Sequence, residues 1–288
     1  MKKIIICILS IILILIFINS NYIITNLIDY TNLFINNLFF YTFIIYIISS
    51  LFIDYDLLSI IKPTTYITIM SMISGFPSGA KLIKEALDKE YIDSNTANYL
   101  ITYTHFPNPL FIIGSISKII SKEYSLIILF TIYISNFITS RFFKIKSNYK
   151  ANSINSNKSF SYYLNNSINN SFKTILLIYG TSICFYIISL IINRYFYINN
   201  IIRSIIFGLF DLTKGVFSTS FIHNKRISCI LILLFINLSS ISIHMQVKSI
   251  ISNSSISYKR FLIGRIISTC ISIIIIIMMH SLLDILYL

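Results

Sequence analysis

The chain has 288 residues, of which 56% are hydrophobic and only 11% are charged, and its formal net charge at pH 7 is +13. Because soluble domains carry about 25% charged residues, too few charged side chains are present to cover a water-exposed surface. The same figures exclude a disordered chain, a collagen-like chain and a small disulfide-linked scaffold. The composition therefore predicts a polytopic membrane protein, with the lipid bilayer as its first partner.

Long charge-free runs follow one another along the chain and define the predicted membrane spans. A bilayer core about 30 Å thick needs roughly 20 apolar residues in a helix. The apolar character of the runs is continuous, which argues against the alternating strands of a β-barrel. We therefore expect an all-α fold with about seven or eight spans plus re-entrant elements. The runs are Ile4 to Ile28, Thr31 to Ile53, Pro63 to Ala80, Ser94 to Ser117, Tyr124 to Ser140, Thr174 to Asn193, Ile227 to Val247 and Ile266 to Leu283.

The third and fourth runs contain turn-forming residues. The third carries Gly75-Phe76-Pro77-Ser78-Gly79 near its end, and the fourth is interrupted by His105-Phe106-Pro107-Asn108-Pro109. Irregular backbone at membrane depth needs cover from protein or water and usually lines a cavity, so we interpret both runs as broken or re-entrant helices. The alternative is that Pro107 and Pro109 only kink an ordinary span, since proline is common in membrane helices.

The start of the next helix carries a candidate anion site. Gly75 and Gly79 have the G-x-x-x-G spacing that permits close helix approach, while Pro77 between them disfavours an uninterrupted helix. A turn there leaves backbone N–H groups free at a helix start, and Lys81 adds a positive charge. The segment from Lys81 to Asp93 alternates charged and apolar residues at helical spacing and predicts an amphipathic helix at the cytoplasmic surface.

A polar, Ser- and Asn-rich stretch from Arg141 to Lys173 carries six basic residues and no acidic one. The positive-inside rule places it in the cytoplasm, together with Lys2 and Lys3. It has no nucleic-acid motif, so no nucleic acid is expected as a partner. The predicted organisation is N-terminal spans at 1–61, a first half at 62–140, this basic linker at 141–173 and a second half at 174–288.

Two charges interrupt an apolar stretch of the second half, Ser204 to Phe221. A charge at the centre of a membrane helix costs about 2.5–3.5 kcal/mol on insertion scales. In one interpretation Asp211 and Lys214 couple an ion or a substrate. In the other, the segment is re-entrant or interfacial and both charges reach water. His244 is likewise either a proton relay, since His titrates near neutral pH, or a hydrogen-bonded packing residue.

Patterns of enzymes and metal sites are missing from the sequence. The four cysteines stand alone, without a C-x-x-C pair, and no two histidines have metal-ligand spacing. There is no H-E-x-x-H, no G-x-S-x-G and no phosphate-binding loop. We therefore predict neither an enzyme nor a bound metal or cofactor.

Two motifs resemble a known family. Ser74 to Lys81 follows S-G-[YF]-P-x-G-A-K, and Asn108 to Gly114 follows N-P-L-F-I-x-G about 30 residues later. The pair resembles the YlbJ-type sporulation integral membrane proteins of endospore-forming bacteria. These proteins belong to the nucleoside-recognition, or Gate, domain group, which includes parts of nucleoside transporters and of the ferrous iron transporter.

The second half is similar to the same family, so the resemblance covers roughly Pro63 to Arg265. Its matching elements are Asp211-Leu212-Thr213-Lys214-Gly215, Ser239 to Val247, Ile256 to Phe261, and Arg265-Ile266. The sequence departs from the family at four positions. Gly is usual where Ser239 and Ser240 stand, Glu is frequent where Asp211 stands, and a small polar residue is commoner where Pro107 stands. The serines put the family's tight backbone packing, and with it the transfer of binding roles, in doubt.

The resemblance implies a role in spore cortex formation, in the mother-cell-derived membrane around the forespore. Kinship with the Gate group implies a transporter-like architecture by analogy, with an unknown small-molecule solute. The alternative is a non-transporting membrane scaffold that docks other sporulation membrane proteins.

Broken, polar elements in both halves favour an inverted repeat with a substrate site at the repeat interface. The predicted substrate or ion pathway consists of Gly75, Pro77, Ser78, Gly79, Lys81, Asn108, Pro109, Asp211, Thr213, Ser242, His244 and Gln246.

Overall fold

The computed structural model describes residues 2–143, 158–196 and 198–286, and this part of the chain is helical without strands. Its α-helices are α1 (Lys2–Ile18), α2 (Ser20–Phe34), α3 (Phe40–Asp54), α4 (Leu57–Ile60), α5 (Pro63–Ser74), α6 (Ser78–Asp88), α7 (Ser94–Leu100), α8 (Pro109–Phe111), α9 (Ser117–Ile120), α10 (Lys122–Phe142), α11 (Phe160–Tyr195), α12 (Asn200–Phe210), α13 (Leu212–Ser218), α14 (Lys225–Leu238), α15 (Ile241–Ile250) and α16 (Tyr258–Leu286). Two π-helical turns, Ile35–Phe39 and Ile112–Ile116, and a 3₁₀ turn, Thr219–Phe221, join neighbouring helices.

Five helical stretches of the described residues are long and apolar enough to cross a membrane, which confirms the all-α polytopic membrane fold. They are Ser20–Asp54, Lys122–Phe142, Phe160–Tyr195, Lys225–Ile250 and Tyr258–Met279. Helix α1 and the broken stretch at 94–120 bring the count to about seven passes, because each covers close to the bilayer thickness.

The first two spans are divided differently from the sequence prediction. The expected runs, Ile4 to Ile28 and Thr31 to Ile53, meet near Asp29, but the helix breaks ten residues earlier at Asn19. The Asn19 amide donates to the Leu15 carbonyl and to the Tyr195 hydroxyl, and so takes part in ending α1. One exposed charge does not end a helix, and Asp29 lies within α2. Helices α2 and α3 form one continuous helical stretch from Ser20 to Asp54.

Contacts between helix ends define two opposite ends of the molecule. At the linker end, the Lys89 ammonium lies 2.5 Å from the Asp54 carboxylate, and the Asn98 amide donates to the Ser255 carbonyl. At the far end, Asn19 contacts Tyr195, the Asn200 amide donates to the Phe221 carbonyl, and the Lys225 ammonium donates to the Ile119 carbonyl.

These ends also separate the basic residues of the second half. Arg194 stacks on Tyr22 at the far end, where Lys225 also lies. Arg260 lies over Phe143, next to the basic linker, and its neighbour Lys259 shares that end. The basic residues of the second half therefore belong to two sides rather than one.

Two re-entrant hairpins enter the molecule from opposite ends. The first consists of α5 and α6, starts and finishes at the linker end, and turns at Gly75-Phe76-Pro77, where the Phe76–Pro77 peptide bond is cis. The second consists of α12 and α13, opens at the far end and turns at Asp211. No arm is long enough to cross a bilayer, since helices of 7 to 12 residues cover at most about 18 Å.

The first hairpin changes the interpretation of the charged segment after Gly79. The sequence predicts a surface helix beginning near Lys81, but α6 is the returning arm of the hairpin and most of its residues are buried. Leu82, Ile83 and Ala86 are fully buried, and Lys81 is only 7% exposed. The amphipathic spacing thus reports a helix packed inside the bundle, not one lying on the membrane.

The same order of elements occurs twice. A long helix (20–54), a hairpin (63–88), a broken helix (94–120) and a full span (122–142) are followed by a long helix (160–195), a hairpin (200–221), a broken helix (225–250) and a full span (258–286). Each unit passes through the bilayer three times, and an odd number of passes inverts the second unit relative to the first. In each unit the long helix comes first, as α2 and α3 in the first unit and as α11 in the second.

Candidate functional site

A small cavity lies where the tips of the two hairpins meet the breaks of the two broken helices. Its volume is about 50 Å³, which is room for about three or four water molecules. In both repeat units, the long helix, the hairpin and the broken helix each contribute lining residues. It is lined by Phe34, Leu38, Thr42, Ser74, Phe76, Asn108, Phe111, Ile178, Ser182, Asp211, Leu212, Thr213, Ser242, Ile243 and Gln246.

Asp211 is the charged residue of this central cavity, and its carboxylate is held from two sides. One oxygen caps α13 by accepting from the backbone N–H of Lys214 at 3.0 Å. The other accepts from the Tyr30 hydroxyl at 3.1 Å and from the Ser242 hydroxyl at 3.4 Å. Three elements that are far apart in sequence therefore point donors at one side chain.

The two charges next to the tip of the second hairpin, Asp211 and Lys214, are not paired with each other among the described residues. The Lys214 ammonium instead lies 5.5 Å from the centre of the Tyr186 ring. The hairpin is re-entrant, as one interpretation held, but Asp211 is only 1% exposed and does not reach bulk water. A buried carboxylate without a cationic partner needs a proton or a bound cation to offset its desolvation.

The broken helix α14–α15 supplies further polar groups on the same side of the cavity. The Ser240 and Ser242 hydroxyls lie 2.8 Å apart at the start of α15. One turn later, the Gln246 amide donates to the Ile178 carbonyl at 3.3 Å and to the Ser182 hydroxyl at 3.4 Å. These contacts connect the break to α11, so a shift of either helix changes the donors available to Asp211.

The first hairpin approaches the cavity through backbone packing. Gly75 has a φ of +75°, and a Cβ built on it would lie 2.5 Å from the Asn108 backbone nitrogen. A Cβ on Gly79 would lie 2.1 Å from the Thr104 carbonyl oxygen. Asn108 itself caps α8 by accepting from the Leu110 N–H at 2.8 Å. Any added side chain at these glycines therefore displaces the break that carries Asn108.

A buried polar network behind the cavity joins the two broken helices to the full spans. Arg265 of α16 donates to the carbonyls of Thr102 and His105 and to the Asn136 side-chain oxygen. The His105 ring nitrogen lies 2.8 Å from the Ser239 hydroxyl. The two breaks are thus fixed to each other and to α10 and α16 by direct hydrogen bonds.

The structure brings five of the predicted pathway residues together at the central cavity and leaves the others outside its lining. Asn108, Asp211, Thr213, Ser242 and Gln246 line it. Gly75, Pro77, Ser78 and Gly79 form the first tip and the start of α6, where the Ser78 hydroxyl bonds to Ser74 and to the Gly75 carbonyl. Pro109 is the first residue of α8.

Lys81 and His244 have structural partners away from the cavity. Lys81 lies 3.6 Å from Glu85 and donates to the Ser50 hydroxyl, on the linker side of the hairpin. The hairpin start therefore does not present Lys81 as an anion ligand at the tip. The two nitrogens of His244 bond to the Tyr258 hydroxyl and the Leu238 carbonyl, which is the packing alternative that the sequence left open.

Sequence reasoning missed the residues that the long helices contribute. Tyr30 reaches Asp211 from α2, and Ser182 reaches Gln246 from α11. A signal was present for Ser182, because Gly180-Thr181-Ser182 is a small polar group within an apolar run. Tyr30 directly follows Asp29, the charge between the first two apolar runs.

Comparison of the chain with protein-family models, with curated proteins and with solved structures gives no match in any of the three. The function is therefore argued from the geometry of the site and from the sequence motifs.

Proposed function

We propose that this chain is a transporter-like integral membrane protein of endospore formation. It moves a small solute or ion by alternating access around the central cavity and has no covalent chemistry. The observation that carries the transport part is the meeting of two re-entrant hairpins, which enter from opposite ends, at the buried carboxylate of Asp211. Irregular backbone buried at membrane depth and a lone intramembrane carboxylate are both typical of transport pathways.

The size of the cavity supports a closed arrangement. A volume of about 50 Å³ accepts an ion or a few waters but is far below the roughly 300 Å³ of the smallest usual ligand pockets. A solute larger than an ion therefore needs a hairpin to move away. A hairpin can open from its own end without disturbing the other, because the two hairpins open at opposite ends.

The sporulation part of the proposal is supported by the two motifs alone, Ser74 to Lys81 and Asn108 to Gly114. Under this proposal the protein lies in the mother-cell-derived membrane around the forespore and contributes to cortex formation. The positive-inside rule then places the linker end in the cytoplasm of the mother cell.

The experiment is to compare the metabolites of the mother cell and the forespore in sporulating cells with and without the gene. We expect one solute to be misplaced when the gene is deleted and to remain misplaced with Asp211→Asn. A scaffold gives the opposite pattern: shortening the basic linker causes the defect, while Asp211→Asn leaves solutes and spores unchanged.

A further inference from the structure

A second cavity lies at the far end, between α2, α11 and the second hairpin. Its volume is about 380 Å³, and it shares no lining residue with the central cavity. Its polar lining includes Asn26, Asn193, Arg203, Lys214 and Ser220. This size falls within the range of roughly 300–1,000 Å³ that is typical of small-molecule sites.

The charge of this far-end cavity is one-sided. Arg203 and Lys214 both line it, and none of its described lining residues is acidic. A third cation, Arg194, stacks on Tyr22, which also lines the cavity, at 5.0 Å from the ring centre. Asp29 and Asp211 attract Lys214 electrostatically, but within the described residues Arg203 and Lys214 form no ion pair.

Two polar atoms at the cavity are buried without a partner among the described residues. They are the Nε of Arg203, which is a donor, and the Oδ1 of Asn193, which is an acceptor. Buried polar groups in proteins are almost always hydrogen-bonded, and a bound water or ion is one of the explanations of an exception. A guanidinium donor in a cavity that a lysine also lines suits an oxyanion, because both cations form charge-assisted bonds with carboxylate and phosphate oxygens.

We propose that the far-end cavity binds a small anion through a phosphate or carboxylate group, with Arg203 and Lys214 as its charged ligands. Lys214 lies one turn after Asp211, which caps α13, so this helix connects the far-end cavity with the central one. The identification of this anion as the transported solute, the cargo, rests on the proposed function. The binding site itself is testable without transport.

Binding is measured by calorimetry on the full chain in phosphatidylcholine nanodiscs, with inorganic phosphate and succinate as probes. We expect saturable binding of at least one probe, and weakening by about tenfold or more in Arg203→Gln and in Lys214→Gln, since each loses a charge-assisted bond. Arg203→Lys retains a cation and restores part of the affinity. Lys118→Gln, an exposed cation at the same end outside the cavity, is the matched control and leaves affinity unchanged.

The site is overturned if neither probe binds saturably, or if Lys118→Gln weakens binding as much as the cavity variants do. Thermal unfolding of each variant accompanies the titration. If Arg203→Gln lowers the melting temperature sharply, Lys214→Gln and the rescue by Arg203→Lys decide the outcome.

A lipid headgroup presents the same phosphate chemistry, so the titration is repeated in nanodiscs that contain phosphatidylglycerol. Unchanged phosphate affinity supports a soluble anion. Loss of phosphate binding there supports the anion site but assigns it to lipid, which overturns the cargo role.

Uptake of the bound probe into proteoliposomes separates this proposal from the proposed function. Binding that depends on Arg203, without uptake, supports the site and counts against transport of that anion. Uptake of a solute that requires Asp211 but is unaffected by Arg203→Gln and Lys214→Gln supports transport and overturns the cargo role of the far-end site.

Discussion

The tips of the two hairpins occupy equivalent places in the two repeat units but are built in different ways. The first, at Gly75-Phe76-Pro77, has no charge and lies against the break of its own unit through backbone contacts. The second, at Asp211, holds a carboxylate by three hydrogen bonds. Its two arms meet closely at Gly215, where a Cβ would lie 2.2 Å from the Cα of Gly208, while a Cβ on Gly208 would lie 2.4 Å from the Phe235 ring of α14.

The difference indicates that the two hairpin tips have different roles. Close backbone packing lets the first tip move only together with the break that it contacts, so this tip fixes the shape of the closed central cavity. Hydrogen bonds to a carboxylate break and form again as the ligand or the proton on that group changes. The second tip is therefore the one whose position depends on what the cavity contains. The substitutions below test whether steric packing fixes the first tip and whether the Asp211 carboxylate fixes the second.

The largest effect is expected from Gly79→Ala in the first hairpin. The new Cβ would lie 2.1 Å from the Thr104 carbonyl oxygen, a backbone atom that cannot move without shifting the break. We expect a loss of about 3 kcal/mol or more of folding free energy, measured as folded yield and thermal unfolding in detergent. Gly114→Ala is the matched control, because no atom lies within 4 Å of its Cβ. Equal stability of the two variants would show that steric packing does not fix the first tip.

Asp211→Asn is expected to abolish activity with little loss of stability. Asn still caps α13 as Asp does, and no buried charge is left unpaired. We expect the yield of heat-resistant spores to fall at least about tenfold, because the proposed pathway loses its intramembrane carboxylate. Asp29→Asn, at the exposed residue directly before Tyr30, should leave the spore yield unchanged. Normal sporulation of Asp211→Asn would rule out an essential carboxylate.

Tyr30→Phe removes one donor to Asp211 and should have an intermediate effect. A hydrogen bond to a charged group contributes about 1.5–3 kcal/mol, but the carboxylate retains the Ser242 and Lys214 donors. We expect a partial decrease of spore yield in Tyr30→Phe alone. In a chain that already carries Asp211→Asn, we expect Tyr30→Phe to cause no further decrease, since both changes act on one contact. Fully additive defects in the double variant would show that Tyr30 acts elsewhere.

Ser239→Gly is expected to give the smallest effect, and in the stabilising direction. Ser239 has φ 71° and ψ 152°, a backbone region that costs a residue with a side chain about 1–3 kcal/mol. The change also removes the contact with His105, worth about 1 kcal/mol, so the melting temperature should rise slightly. Ser240→Gly is the control, because φ of −76° suits any residue there and the change only removes the contact with Ser242. A lower melting temperature for Ser239→Gly than for Ser240→Gly would contradict this.

The part of the site that the sequence could predict is the part that breaks a pattern. Asn108 and Asp211 stand at interruptions of apolar runs, and Ser242 and Gln246 follow the break at Ser239–Ser240. Interruptions are visible in a sequence because proline, glycine or charge is unusual in an apolar helix. The resemblance to the YlbJ-type family added positions to this pattern, but it did not distinguish Lys81, which pairs with Glu85, from the residues that line the cavity.

The rest depends on how helices are rotated and on where they begin, and neither is recorded in hydropathy. Tyr30, Ser182 and Phe34 lie on long helices whose apolar faces look alike around most of their circumference. Which face turns inward is decided by packing against the other unit. The end of α1 at Asn19 depends in the same way on a contact with Tyr195, which is 176 residues away.

The length of α11 has a mechanical consequence. Ile178 and Ser182 line the central cavity, whereas the helix begins at Phe160, about 27 Å earlier along its axis. The hydrocarbon core extends only about 15 Å from its midplane, so the first turns of this helix project into water next to the basic linker. If α11 tilts by about 5° about the cavity, its first turn moves by roughly 2–3 Å. The displacement is therefore largest at the end of α11 that joins the basic linker.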